Sequence, residues 1–490
     1  MGAAGLWMLL ATALLMAVSG LPAWTVLVGT AMAFAVGGMV LGLWPAQLFF
    51  ALPLRLLGLL EHDLLQALPL YVLIGALLNR LPLTDILFRV ALRLMRRTAA
   101  APYLAGLGLG TLLAPMNGSV GASITMLSRA MGRRLGARGI PAESGAALIC
   151  TASTVGVVVP PSLVLILLGD AMMRAHTEAV NTAARAALIV NTQDIFLGAL
   201  RPAAAMLVLF MVATWWRHRG VSPAESAAAS TATPTGPASP SRADWAIAVG
   251  AVACILALLT GVTLGYLYAV EGAATGALAL CGFGLATGTL TRSVGRQVLQ
   301  DTLAITGALF ALLMAATTYT LVLRALGTDV WIGDLLRSLP GGGSAALAAV
   351  LGMLVLSAFV LDAFEIIFVI VPIAMPPLLV LVPDAAWVAV LALLVLQMGF
   401  LLPPFGYAIL MVGHLLPGRL STRRLSRALA PYLLVQAAVI AAVWCWPALV
   451  WQPRSAAVAA EAAPLSEEEV QKLFDQQRLE FDKPPAEATP

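Results

Sequence analysis

Three groups of residues stand out because their surroundings make them costly. The first is Asn117, Gly118, Ser119, Gly121 and Ser123, set inside an apolar stretch. Small residues let the backbone approach a ligand closely, hydroxyl and carbonyl oxygens are hard ligands, and helix N-termini carry partial positive charge. Such a run suits a sodium ion or a carboxylate. Tight helix packing by Gly and Ser is the plainer use of the same residues. The second group surrounds two double prolines, in CTASTVGVVVPPS (150–162) and LQMGFLLPPFG (396–406). Pro160, Pro161, Pro403 and Pro404 lack amide donors and clash with the preceding turn, which releases carbonyls around 156–159 and 399–402. Gly156, Gly399 and Gly406 flank these breaks, and Thr151, Ser153, Thr154, Ser162 and Gln397 are polar neighbours that could complete a cation shell or bond helix to helix. The third group is Asp362 and Glu365 in LSAFVLDAFEIIFVIVPIAMPP. An acid at the bilayer centre costs about 2.5–3.5 kcal/mol on insertion scales, so each needs compensation. Asp362 reads as a cation ligand or a helix cap, and Glu365 as the partner of an arginine or a group that titrates with substrate.

The elements that must hold these residues are membrane helices. Of 490 residues 60% are apolar and 11% charged, against about 25% charged in soluble domains. A mean hydropathy of +0.94 requires many long apolar segments, each able to cross a hydrocarbon core with about 20 residues. Apolar runs fall at about 4–20, 25–44, 58–80, 101–131, 143–168 and 194–216, and again at 243–266, 268–289, 301–324, 344–380, 384–416 and 428–451. The first run lacks a basic residue ahead of it and reads as a retained span, not a signal peptide. Between the two sets, residues 217–242 are a Ser, Ala, Thr and Pro linker. Residues 452–490 form an acidic tail, with a short helix expected after Ser466.

The sets resemble one another. GVVVPP at 156–161 recurs as GFLLPP at 399–404, 243 positions later, and Asp362 follows Ser119 by the same interval. A duplication over 1–216 and 243–451 accounts for both. Arg89, Arg93, Arg96 and Arg97 precede the run 101–131, and Arg129, Arg133, Arg134 and Arg138 end it, so both its ends face the cytoplasm. It is too short for two crossings and reads as a re-entrant helical hairpin with its tip at 114–123. Five crossings precede the linker. The odd number inverts the second copy, so 344–380 becomes a hairpin from the opposite side, Arg419, Arg423, Arg424 and Arg427 fall inside, and both termini lie outside. The fold class is thus an all-α polytopic membrane protein built as an inverted repeat of about five spans plus one hairpin each.

Several activities lack their residues. There is no GxxxxGK[ST] run for ATP, no GxSxG beside a histidine, and no metal-ligand spacing among His62, His176, His218 and His414. Cys150, Cys254, Cys281 and Cys445 are scattered in apolar segments and read as core residues. The basic excess lies in loop arginines, so nucleic acid is not an expected partner. No catalytic residue and no cofactor is expected.

GSVGASITML, TASTVGVVVPPSLVLILLGD, LDAFEIIFVIVPI and LQMGFLLPPFGYAIL resemble, in order and spacing, the motifs of the large membrane subunit of tripartite ATP-independent periplasmic (TRAP, DctM-like) transporters. SGLPAW and DLLQALPLYVLIGALL extend the resemblance over nearly the whole membrane region, to about residue 450. The resemblance implies an elevator-type, sodium-driven transporter of the bacterial inner membrane, working with a small membrane subunit (DctQ-like) and a periplasmic solute-binding protein (DctP-like). It implies sodium near Ser119, Gly156, Asp362 and Gly399, with an organic anion beside it. Motif by motif it covers Gly118, Ser119, Gly121 and Ser123, then Gly156, Pro160, Pro161 and Ser162, then Asp362, then Gly399, Pro403, Pro404 and Gly406. Val395 stands where many relatives place Asn and Leu402 where they place Thr, so backbone carbonyls would serve the second ion site there. The LGD ending at Asp170 and the PPFG form resemble the branch associated with 2-oxo acids. Receptor-borne discrimination would free this chain from needing an arginine clamp. The alternative is a receptor-independent sodium/carboxylate symporter of related two-hairpin architecture; a passive channel fits the paired broken spans poorly.

Overall fold

The computed structural model describes residues 2–43, 50–60, 63–95, 98–183, 190–219, 240–415 and 420–450, and no strand occurs among them. Most of the expected linker, residues 220–239, and the tail at 452–490 lie outside the described residues, as do Arg96, Arg97 and Arg419.

The first half contains α1 (Gly2–Ser19), α2 (Ala23–Val40), α3 (Ala51–Leu60), α4 (Asp63–Arg80), α5 (Leu83–Leu94), α6 (Ala101–Leu113), α7 (Val120–Gly136), α8 (Ala142–Val158), α9 (Leu163–Ala183) and α10 (Thr192–His218). The second contains α11 (Arg242–Thr263), α12 (Ala269–Ala286), α13 (Arg292–Ala325), α14 (Thr328–Ser338), α15 (Gly342–Ser357), α16 (Ala363–Leu381, with a π turn at Ile366–Ile370), α17 (Ala385–Leu401), α18 (Tyr407–Leu415) and α19 (Thr422–Cys445). Among the described residues seven helices are long and apolar enough to cross a membrane, or nine if each bent pair is one span. The chain is an all-helical polytopic membrane protein.

Helix boundaries repeat at the spacing of the proline motifs. α7 starts at Val120 and α16 at Ala363, while α8 covers Ala142–Val158 and α17 covers Ala385–Leu401, each 243 residues apart. Both α8 and α17 are buried along nearly their whole length, as central helices must be; α17 is apolar almost throughout, whereas α8 buries Thr151, Ser153 and Thr154 as well. α8 packs on α6 and α7, and α17 packs on α15. The far half of each broken span crosses to the other hairpin: α9 lies on α16, and α18 lies on α7. The two proline breaks therefore sit between two helical hairpins.

Three expectations need correction. Apolar runs do not reveal α5 or α14, because these helices are amphipathic: Leu83, Ile86, Leu87 and Val90 are buried, while Asp85, Arg89 and Arg93 recur at four-residue spacing on another face. The helix expected to end at 168 continues to Ala183 after its break, since Asp170 pairs with Arg174 and Glu178 with Arg324 at 2.7 Å. α13 begins at Arg292, nine residues before the expected start, with Thr291 accepting the Val294 amide as its cap.

Candidate functional site at the hairpin tips

The first tip is a tight reversal. After α6 the chain makes a 3-10 turn over Ala114–Asn117, and Gly118 takes φ 74°, a conformation that a side chain disfavours. Ser119 then caps α7: its Oγ accepts the Ala122 amide at 3.1 Å, and its carbonyl accepts the Ser123 hydroxyl at 3.0 Å. Asn117 Nδ2 donates to Ser123 Oγ at 3.3 Å, whereas its buried Oδ1 has no hydrogen-bond partner in the structure.

α8 presses on this turn through Gly156. A Cβ there would stand 2.5 Å from Ala114 Cβ and 2.6 Å from its carbonyl carbon. Beside the contact lies a half-open cavity of about 10 Å³ lined by Gly118, Ser119, Ser123, Ser153, Gly156 and Ser162 together with six apolar residues. That is room for about one water-sized sphere. Serine hydroxyls with backbone form a hard-oxygen lining suited to an alkali or alkaline-earth cation, and no thiol or imidazole is among the lining side chains.

The first break runs from Val159 through the cis Pro160–Pro161 bond, with both prolines buried. Two amides that would serve the Gly156 and Val157 carbonyls are missing at these prolines. Ser162 compensates in part, donating to the Val157 carbonyl at 2.9 Å while its Oγ accepts the Leu165 amide at 3.1 Å. The expected set of released carbonyls is therefore smaller than the sequence implied. The same holds at the second break: Leu402 donates to the Gly399 carbonyl at 3.3 Å and Gly406 to the Leu402 carbonyl at 2.9 Å. Gly406 lies so close to the Phe400 carbonyl that a Cβ would meet it at 2.5 Å.

The second tip has a different polar content. Asp362 caps α16, accepting the Ala363 amide at 2.7 Å, and Glu365 reaches back to the Asp362 amide at 3.0 Å, a reciprocal capping box. The cap expected as one reading of Asp362 is formed. The arginine partner expected as one reading of Glu365 is not: no ion pair involving Glu365 occurs among the described residues. Gly399 packs on this tip as Gly156 does on the first, with a built Cβ 2.6 Å from Ala358 Cβ. The tips differ in exposure: Asn117 and Gly118 are buried, while Val360, Pro404 and Phe405 are exposed.

Some candidate residues stand apart. Thr154 returns its hydroxyl to the Cys150 and Thr151 carbonyls at 3.1 Å; Ser153 likewise donates to the Ile149 carbonyl at 2.7 Å, but its residue also lines the cavity. Gln397 is fully buried with neither amide atom hydrogen-bonded, and Thr151 Oγ1 is in the same position on the neighbouring α8. Gly121 meets a residue that sequence reading missed: its built Cβ would lie 3.1 Å from the Tyr407 hydroxyl. Asp362 and Glu365 both lie within electrostatic reach of Tyr407. One phenol thus lies against the first hairpin and in the neighbourhood of the acids of the second. Its position just after PPFG is the signal that was available.

A larger cavity, of about 430 Å³, opens between α9, α13 and α16; its walls are mostly apolar, but Arg55, Arg174 and Glu178 line it as well. Arg324, at the end of α13, lines an adjoining space of about 650 Å³, donates to Glu178, and donates to the Pro372 carbonyl at 3.2 Å. Three guanidiniums face two carboxylates here, Asp170 holding Arg174. Read along the sequence, Arg324 merely ends an apolar run, and only the packing of α9 and α16 beside α13 gives it neighbours.

The family model described as "Tripartite ATP-independent periplasmic transporter, DctM component" matches residues 8–449. No curated protein matches the chain. Among solved structures, the fold is similar to that reported as "Crystal structure of the Alcanivorax borkumensis YdaH transporter reveals an unusual topology", with a TM-score of 0.57 and 15% identity over 83% of this chain and 89% of that one. That likeness concerns the fold. Matched over nearly its whole described length, this integral membrane chain belongs to the DctM family and is the large permease subunit of a TRAP transporter, a transport component and not an enzyme.

Proposed function

We propose that this subunit carries a small organic anion, a carboxylate of the 2-oxo acid kind, into the cell in exchange for the energy of a sodium gradient. The observation that carries the reading is the cavity of about 10 Å³ between Ser119, Ser123, Ser153, Gly156 and Ser162, whose oxygens suit one small hard cation. The unpartnered Asn117 Oδ1 beside it adds a further oxygen that a cation could engage. A second cation would use the Asp362 region near Gly399. The anion has room in the arginine-rich cavity between α9, α13 and α16, where Arg324 and Arg174 offer planar donors.

In this reading the halves form an inverted repeat, 1–216 and 243–451, with the linker 217–242 in the cytoplasm and both termini periplasmic in a bacterial inner membrane. The hairpins and broken spans move together as an elevator, and cation binding at the tips favours the state that closes over the anion. A small membrane subunit and a periplasmic receptor complete the system. Uptake of labelled organic acids into proteoliposomes, with and without an inward sodium gradient and receptor, tests this. Uptake needing both supports the reading. Sodium-driven uptake without receptor replaces it with a standalone symporter, and gradient-independent, non-saturating flux removes coupling altogether.

A further inference from the structure

An apolar cavity of about 280 Å³ lies between α4, α5, α11 and α12, away from the arginine-rich one. It is nearly twice an engineered apolar cavity of about 150 Å³ that takes benzene. Along α11 its lining runs from Ala246 through Gly250 and Cys254 to Leu258 on one helix face. Twelve residues at about 1.5 Å each make this a slot roughly 18 Å long, close to the half-thickness of a hydrocarbon core of about 30 Å. Small residues create it, Gly250 on α11 and Gly276 and Ala279 on α12. The outward faces of these two spans, at Val249, Leu256, Leu278 and Leu285, are exposed and apolar, so the slot is bordered by lipid-facing helix surface.

The two ends of the slot differ. At the Ala246 end, Arg89 Nη2 pairs with Asp244 at 3.2 Å while the buried Nε has no hydrogen-bond partner. At the deep end, Met116 of the first hairpin tip lines the slot, one residue before Asn117. An apolar channel about as long as one leaflet is deep, with a partly exposed arginine toward one end, is complementary to an anionic phospholipid. A partner helix, about 10–12 Å across with its side chains, is too wide for this volume.

We propose that this slot binds one acyl chain of an anionic phospholipid, its phosphate at Arg89 and its chain end against Met116. The lipid thereby contacts the turn that forms the candidate ion cavity, and the proposal does not depend on which ion or anion is carried. The test uses the full chain reconstituted with phosphatidylglycerol bearing a diazirine near the acyl terminus, with crosslinks read by mass spectrometry. Met116, Cys254 and Gly276 are expected to label at least fivefold above the outward Val249 and Leu278. Gly250→Leu and Ala279→Phe, which fill the slot, are expected to cut Met116 labelling at least tenfold. Should both variants fail to accumulate, the inward-to-outward labelling ratio of the unaltered chain decides alone. Equal labelling inside and outside overturns the proposal, as does unchanged Met116 labelling in the filled variants. So does loss of lipid labelling with Cys254 crosslinking instead to a copurified membrane subunit.

Discussion

Ser119 and Asp362, 243 residues apart, occupy the same structural position: each is the N-cap of its hairpin's second arm, accepting the Ala122 amide at 3.1 Å and the Ala363 amide at 2.7 Å respectively. A neutral hydroxyl holds one tip and a carboxylate holds the other. An anionic cap is favoured at the positive end of a helix, so capping alone accounts for part of the stabilisation of a buried-side acid, and the cap and ligand roles must be separated by experiment.

Asn caps helices as well as Asp but carries no charge. Asp362→Asn is expected to keep the melting temperature of the purified protein while removing the sodium dependence of uptake. Asp362→Ala loses the cap as well, at about 1 kcal/mol, and melts lower. Unchanged sodium dependence in Asp362→Asn would reduce Asp362 to a structural residue.

The two glycines that press on the tips should differ in rescue. At Gly399 the nearest obstacle is the Ala358 side chain, with Val355 backbone at 3.4 Å, so Gly399→Ala is expected to be restored by Ala358→Gly. At Gly156 the Ala114 backbone itself stands at 2.6 Å, and Ala114→Gly should not restore Gly156→Ala. Each single substitution should cost about 1–3 kcal/mol by overpacking. Thermal melting of the four variants and two doubles measures it.

Ser153 lines the small cavity and Thr154 does not. Ser153→Ala should raise the sodium concentration for half-maximal uptake at least fivefold, while Thr154→Val leaves it within twofold. A reversed order would place the cation elsewhere on α8.

Gly121→Ala brings a methyl within about 3.1 Å of the Tyr407 hydroxyl. Tyr407→Phe removes that oxygen and should recover most of the lost uptake in the double variant. Additive losses would mean that Gly121 and Tyr407 act independently.

Arg324 serves Glu178 at 2.7 Å and the Pro372 carbonyl at 3.2 Å through one nitrogen, Nη2, which leaves the rest of its guanidinium for another partner. As a partly exposed pair, Arg324 and Glu178 should couple by no more than about 1 kcal/mol in a double-mutant melting cycle. Loss of uptake in Arg324→Gln much beyond that in Glu178→Gln, at equal melting temperature, would indicate that the arginine meets the anion itself.

What the sequence determined is the content of this protein. Apolar run lengths dictate membrane helices, and paired prolines dictate two broken spans because a missing amide cannot be replaced within the helix. The spacing of GVVVPP and GFLLPP also anticipated the helix offset of 243, since a change of register would move the glycines off the hairpin tips. α5 and α14 were hidden because their burial is one-sided and shows only as periodicity. Tertiary structure alone decided the partners. The crossing of α18 to α7 puts Tyr407 against Gly121, and the packing of α9 and α16 beside α13 brings Arg324 to Glu178 from 146 residues away. It also decided which oxygens stay committed, because Ser162 and Leu402 consume carbonyls that a linear reading leaves free. Spacing along a chain carries local geometry, whereas contacts between distant helices depend on how whole faces pack, which no short motif encodes.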